Sequence, residues 1–335
     1  MRKAIRFILL AGVAAILLGA AWFATEYHRA RPGLSPGAYF EVEKGQAVAT
    51  IAQNLARSGL VRSPLAFRLA YRLHYSGQSL KAGEYSFPGP LTMKDILEAM
   101  TKGKVYLQPV TVPEGLTGEE TAEELVRSGL ATREGFLAAF NDRSLFVDWD
   151  PEAGNAEGYL FPETYHFARK TPAREVVARM IAQYESVFGD AWRLRAQELG
   201  LSIRQVTTLA SLIEKETSRP EEKRLVAAVF HNRLRLRMKL DCDPTIIYAL
   251  KLEGAYEGRL LSRDLKFASP YNTYLHPGLP PGPIANPGRD SIEAALYPAD
   301  EDYLYFVARG DGSHRFSRTF REHQRAVLEY RQASH

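Results

Sequence analysis

Leu209-Ala-Ser-Leu-Ile-Glu-Lys-Glu-Thr217 is an apolar helical pattern that runs into two carboxylates, and the reading of the chain turns on it. At about 100° per residue, Ile203, Val206, Leu209, Ala210 and Ile213 share one stripe, with Glu216 on its edge. Lys215 points the opposite way, and Glu214 falls about a right angle from the stripe centre. Glu216 is therefore the acid set in a partly apolar wall, where lost hydration raises a carboxyl pKa and suits it to donating a proton. The same residues also describe a solvated acid pair at a helix end closed by Thr217-Ser-Arg-Pro220. Periodicity alone leaves both readings open.

Working outward, Phe7 to Ala24 is an apolar run long enough to span a bilayer, with Arg2, Lys3 and Arg6 before it and Trp22 and Phe23 at its far end. The positive residues predict a cytoplasmic N-terminus and an extracytoplasmic remainder. A cleaved signal peptide is the competing reading; the length of the run and its weak cleavage site favour a retained anchor.

Composition describes a folded, exported chain. Of 335 residues, 24% are charged and the net charge is +4, too ordinary for disorder and weakly suited to an anionic surface. The single cysteine, Cys242, excludes an intrachain disulfide and a Cys-rich metal cluster. No His/Cys/Asp cluster has ligand spacing, so neither metal nor cofactor is expected. No basic cluster interleaved with aromatics points to nucleic acid.

After a Pro/Gly linker the chain repeats itself. Val42-Glu-Lys-Gly45, Ile51-Ala52, Leu55 and Arg57-Ser-Gly-Leu60 recur as Val112-Pro-Glu-Gly115, Thr121-Ala122, Leu125 and Arg127-Ser-Gly-Leu130, an offset of 70 from Val42 to Val112. Each copy reads as a strand, a Gly turn and a short helix closed by Gly. The first continues through helical Pro64 to Tyr75 into Leu80 to Phe87, a strand-helix-helix-strand order that resembles the LysM fold, a small glycan-binding module. A spacer that only positions the second half fits equally well.

Beyond residue 150, Asn155 to Tyr165 combines rings with carboxylates, Glu163 among them, as a carbohydrate groove does; a buried aromatic turn is the alternative. A long helix from Glu221 to Leu236 follows the central one. Asp243-Pro244 reads as a helix start with Asp243 capping, or else as a substrate-orienting acid. Tyr271, Asn272, Thr273 and Tyr274 open a Pro/Gly-dense segment expected to wall a groove. Tyr303 to Ala308 and His314 to Phe316 form a predicted hairpin, and Phe320 to Arg331 a last helix.

These segments together resemble a family. Ile213-Glu-Lys-Glu-Thr217, Asn232-Arg-Leu234, Asp243-Pro-Thr245, Tyr271-Asn-Thr-Tyr274, Gly278-Leu-Pro-Pro-Gly-Pro-Ile-Ala-Asn-Pro-Gly288 and Tyr303-Leu-Tyr-Phe-Val307 resemble the MltG/YceG endolytic murein transglycosylases in order and spacing. Glu157-Gly-Tyr-Leu-Phe-Pro-Glu-Thr-Tyr165 and the anchor extend the likeness over nearly the whole chain. Glu163 stands where the family often has Asp, and Cys242 is a second departure.

The resemblance implies a single-pass inner-membrane lyase that cuts nascent peptidoglycan strands internally, with Glu216 catalytic. Glu214, Glu163, Asp243, Tyr271, Asn272, Thr273 and Tyr274 are the substrate-binding candidates, and penicillin-binding synthases the implied partners. The expected fold is α+β: residues 1–25 tip and span, 26–38 linker, 39–150 a LysM-like region holding the repeat, and 151–335 a mainly helical catalytic domain with small β-hairpin elements. Two rivals stay open: a lysozyme-type hydrolase using Glu216 with Asp241 or Glu214, and an anchored glycan-binding scaffold without catalysis. A pyridoxal-phosphate lyase is disfavoured, because the export signal implies another compartment and no Lys sits in a phosphate-binding context.

Overall fold

A computed structural model describes residues 2–333; Met1, Ser334 and His335, which the expected first and last domains include, lie outside the described residues. The chain mixes helix and sheet and forms two compact units, residues 1–108 and 109–335.

The first unit opens with α1 (Arg2–His28), long and apolar enough to cross a membrane. Its helix continues past Thr25, where the sequence reading ends the span, because Tyr27 is buried in the core of this unit. Strand β1 (Phe40–Val42) leads through α2 (Val48–Arg57) and α3 (Pro64–His74) to β2 (Gly83–Tyr85). The strands pair antiparallel with Phe40 opposite Tyr85, and Phe40, Val42 and Tyr85 point into the core. Ile51, Leu55 and Phe67 meet them from α2 and α3. Helix α4 (Met93–Lys102) starts in a Thr92–Asp95 capping box and stops at left-handed Gly103.

The division falls at 108/109 rather than at 150/151, so the second repeat copy belongs to the second unit. Strand β3 (Gln108–Thr111) leads into it, followed by α5 (Gly118–Arg127), α6 (Arg133–Phe140) and β4 (Thr164–Phe167). β3 pairs with β4, Val112 N–H donates to the Glu163 carbonyl at 3.0 Å, and Leu125 and Phe136 share one core with later helices. The two copies still close alike: Leu60 N–H reaches the Leu55 carbonyl and Leu130 N–H the Leu125 carbonyl, both at 3.0 Å, across Gly59 and Gly129 at positive φ.

The rest of this unit is mainly helical: α7 (Ala173–Val187), α8 (Asp190–Glu198), α9 (Ile203–Glu216), α10 (Pro220–Arg235), α11 (Asp243–Leu252) and α12 (Arg289–Leu296). An antiparallel hairpin, β5 (Tyr305–Ala308) with β6 (His314–Ser317), and α13 (Phe320–Ala333) complete it. α9 is its axis, buried on every side from Val206 to Ile213 and not along one stripe only. Two of its buried hydroxyls bond across the core: Thr207 to Tyr184 at 2.6 Å, and Ser211 both to the Thr208 carbonyl at 2.7 Å and to Ile284 N–H at 3.0 Å. Satisfied this way, they cost little to bury.

The Pro/Gly segment is locked by Asn286. Its side-chain oxygen accepts Gly158 N–H at 2.9 Å and Leu160 N–H at 3.0 Å, and its amide donates to the Leu116 carbonyl at 2.8 Å. Gly158 has φ +87°, and a Cβ there would meet Pro283 at 2.5 Å. This irregular loop is thereby a rigid wall of the second unit.

Candidate active site

Helix α9 ends at Glu216, and Thr217 leaves helical geometry at φ −143°, ψ 134°. The Glu216 side chain opens on a cleft of about 620 Å³. Asp243 and Tyr274 line it from one side, Arg233 and Asp241 from another, and Tyr305, Phe306 and His314 from the hairpin, with Phe320 and His323 of α13 beside them.

Burial pushes the Glu216 carboxyl up to about 7. The Cys242 thiol, hydrogen-bonded to it, works the other way; Asp243 raises it further, and His314 and Arg233 oppose that. The thiol itself is held well above its ordinary range, by burial and by Glu216, so it is a neutral donor. At neutral pH Glu216 is thus poised between acid and carboxylate, as a group that gives a proton and takes one back must be.

Its surroundings are held by charge-assisted bonds. Arg233 donates to Asp241 at 3.1 Å, to the Leu240 and Leu304 carbonyls at 2.9 and 2.7 Å, and lies 5.2 Å from the Tyr305 ring. Tyr274 O–H donates to Asp243 at 2.7 Å. Glu222 of α10 accepts the His314 backbone N–H at 2.9 Å and pairs with its Nδ1 at 2.7 Å, while the Thr217 hydroxyl donates to it at 3.3 Å. Burial opposes charge on Glu222, but these bonds win and its carboxyl stays below the usual range.

The sequence candidates divide. Glu216, Asp243 and Tyr274 meet at the cleft. Asn272 and Thr273 are buried beneath it: the Asn272 amide donates to the Leu265 and Phe267 carbonyls, and Thr273 Oγ1 accepts Cys242 N–H at 3.0 Å. They set the loop so that Tyr274 emerges, the Asn272 side-chain oxygen accepting Tyr274 N–H at 2.9 Å, and neither lines the cleft itself. Asp243 is the first residue of α11 and makes no cap; Cys242 occupies that place, leaving the Asp243 carboxylate to Tyr274. Glu214 faces away from the cleft, bonded to Lys223 at 3.2 Å, Gly288 N–H at 3.0 Å and Ser291 at 2.6 Å. Glu163 is exposed on the β4 side and accepts from Gln183 at 2.9 Å. Tyr271 packs on Tyr248, 5.0 Å between ring centroids, away from the cleft lining.

No local sequence pattern assigns a site role to Arg233, Tyr305, His314 or His323. The hairpin and last helix were legible as elements, but their meeting with the end of α9 is a long-range pairing with no local signal. Among the described residues no group of three or more His, Cys, Asp or Glu side chains could hold a metal ion.

One enclosed carboxyl beside a second carboxylate, in an open cleft lined by rings, is an arrangement that can support general acid catalysis. The chain belongs to the YceG-like family, which it matches over residues 40–329. It is 33% identical over 306 residues to an endolytic murein transglycosylase of Bacillus subtilis strain 168, covering 86% of this chain and 83% of the relative. A protein of the same name from Streptococcus pneumoniae D39 is 30% identical over 318 residues, covering 86% of this chain and 57% of that relative. A crystal structure of a YceG-like protein from Listeria monocytogenes superposes with a TM-score of 0.60 at 30% identity, covering 86% of this chain and 98% of that one.

Proposed function

We propose that this protein is an endolytic peptidoglycan lytic transglycosylase, cutting MurNAc–GlcNAc bonds within nascent glycan strands during wall assembly. The observation that carries the reading is the Glu216 carboxyl, held near neutrality at the cleft while its neighbour Glu214 is tied into a buried ion pair. Ordinary glycosidases use two carboxylates, the second acting on water or on the sugar. Here the MurNAc C6 hydroxyl takes that part. Protonated Glu216 gives its proton to the glycosidic oxygen as the C1–O bond breaks; O6 bonds to C1, and its proton passes to the Glu216 carboxylate. The product is a 1,6-anhydro-MurNAc end, and Glu216 is again protonated. Asp243, directed by Tyr274, faces the positive charge that develops at C1.

In this reading α1 anchors the chain once in the plasma membrane, N-terminus inside and catalytic unit outside; the stretch expected as a linker, residues 26–38, is instead tied to the first unit through buried Tyr27 and the bonds of Arg31 to Leu91 and of Leu34 to Phe87. The strand-helix-helix-strand order of the first unit supports a LysM-like module for the glycan. Penicillin-binding synthases are the partners that the family resemblance suggests.

The test is mass spectrometry of uncrosslinked strands incubated with the protein. Anhydro-ended internal fragments are expected. Reducing ends would establish a hydrolase, with Asp241 or Asp243 activating water, and intact strands would leave a binding scaffold.

A further inference from the structure

Helix α3 carries leucines on its outer side. Ala66, Phe67 and Ala70 face the core, while Leu65, Leu69 and Leu73 are 64, 38 and 60% exposed, in a row at i, i+4 and i+8. Arg68 and Arg72, both exposed, run as a second row beside them. Val48, Ala49 and Ser76 complete a shallow groove of about 420 Å³ along this face. An apolar strip flanked by guanidiniums is the pattern of a helix lying in a lipid interface, leucines entering the acyl boundary and cations meeting phosphates.

The fold says which surface this face is near. The Phe23 ring of α1 stacks on His74 at the end of α3, with centroids 6.4 Å apart, and Tyr27 lies 5.1 Å from the same ring. Tyr27 is buried, and its hydroxyl is 3.5 Å from that of Tyr75. Phe23 stands in the last turn of the apolar run Phe7 to Ala24. The C-terminal end of α3 is therefore held at the level where the run ends, that of the headgroups. A sugar-binding groove would offer rings to stack on. Among its described lining residues Tyr71 alone is aromatic, and its hydroxyl is committed to the Gln78 carbonyl.

We propose that the outer face of α3, formed by Leu65, Arg68, Leu69, Arg72 and Leu73, docks on the anionic phospholipid surface of the membrane that α1 crosses. The inference rests on α1 being a membrane span and not on Glu216, so it stands or falls apart from the catalytic reading.

The experiment uses the full chain in lipid nanodiscs holding one copy each, with an environment-sensitive fluorophore on Leu69→Cys or, as control, on Gln53→Cys, exposed on α2. Cys242 is buried, so the label goes to the introduced thiol. In discs containing phosphatidylglycerol, iodide quenching at residue 69 should be about threefold weaker than at residue 53. Phosphatidylcholine alone, or Arg68→Glu with Arg72→Glu, should remove most of that difference. Equal quenching at the two positions with anionic lipid overturns the proposal. So does protection at residue 69 that arises only when glycan strands are added, and a chain that leaves the discs overturns it at its premise.

Discussion

Glu157 and Glu216 are both enclosed acids, and burial pushes each up to about 7. Their surroundings differ. Glu157 sits between α5, α11 and the Pro/Gly loop, accepting both-oxygen bonds from Gly118 N–H at 3.0 and 3.2 Å, Tyr248 O–H at 3.2 Å and the Asn286 amide at 3.5 Å. It ties three segments together and has no open side on the cleft. Glu216 has the Cys242 thiol behind it and the cleft in front. A raised pKa therefore marks burial, and access decides which buried acid can do chemistry.

Exchanging the two acids for their amides separates these roles. Glu216→Gln should lower transglycosylase turnover by at least about 10³-fold, with the thermal midpoint nearly unchanged, since the amide fills the same space. A loss of midpoint as large as the loss of activity would put Glu216 in the same structural class as Glu157.

Stability should show the opposite ranking. Glu214→Ala leaves Lys223, 5% exposed, with only the more distant Glu114, and should cost about 3–5 kcal/mol in chemical denaturation. Glu157→Ala orphans the Gly118 amide and the Tyr248 hydroxyl, at about 2–3 kcal/mol. If either variant is as stable as wild type, its bonds are not holding the second unit together.

The pH dependence sharpens the comparison. Each acid has a folded pKa above its ordinary value, so its contribution to stability is fully present below the unfolded carboxyl pKa and is lost as pH rises to about 7. Stability should fall across that window by a few kcal/mol. Activity needs protonated Glu216 and should decline above about pH 7. Asp243→Asn removes a neighbouring negative charge, so the alkaline limb of activity should move down by a fraction of a unit, whereas the Glu157 window should stay. Tyr274→Phe loses only the bond to Asp243 and should cost about three- to tenfold in kcat.

How far the sequence carries such a comparison depends on the distance over which the signal acts. Helix periodicity within α9 separates the directions of Glu214, Lys215 and Glu216, because one turn of helix sets them. It does not show that Glu214 meets Lys223, Gly288 and Ser291, since those partners come from α10 and the start of α12. The repeat was legible because each copy is closed by its own glycine; which unit takes the second copy was not, because β4 and Asn286, far along the chain, decide it. Asn272 and Thr273 look like groove residues beside Tyr271 and Tyr274, yet one loop turn sends them inward to satisfy backbone groups. Arg233 and His314 reach the cleft through pairings across 71 and 92 residues, to Leu304 and Glu222, that no local pattern announces.

The most direct test digests uncrosslinked glycan strands with wild type, Glu216→Gln and Glu157→Gln side by side and identifies the ends by mass spectrometry. Anhydro ends from wild type and from the folded fraction of Glu157→Gln, with none from Glu216→Gln, are the expected result. Anhydro ends persisting in Glu216→Gln would contradict the account, because the acid facing the cleft would then not be the one that breaks the bond.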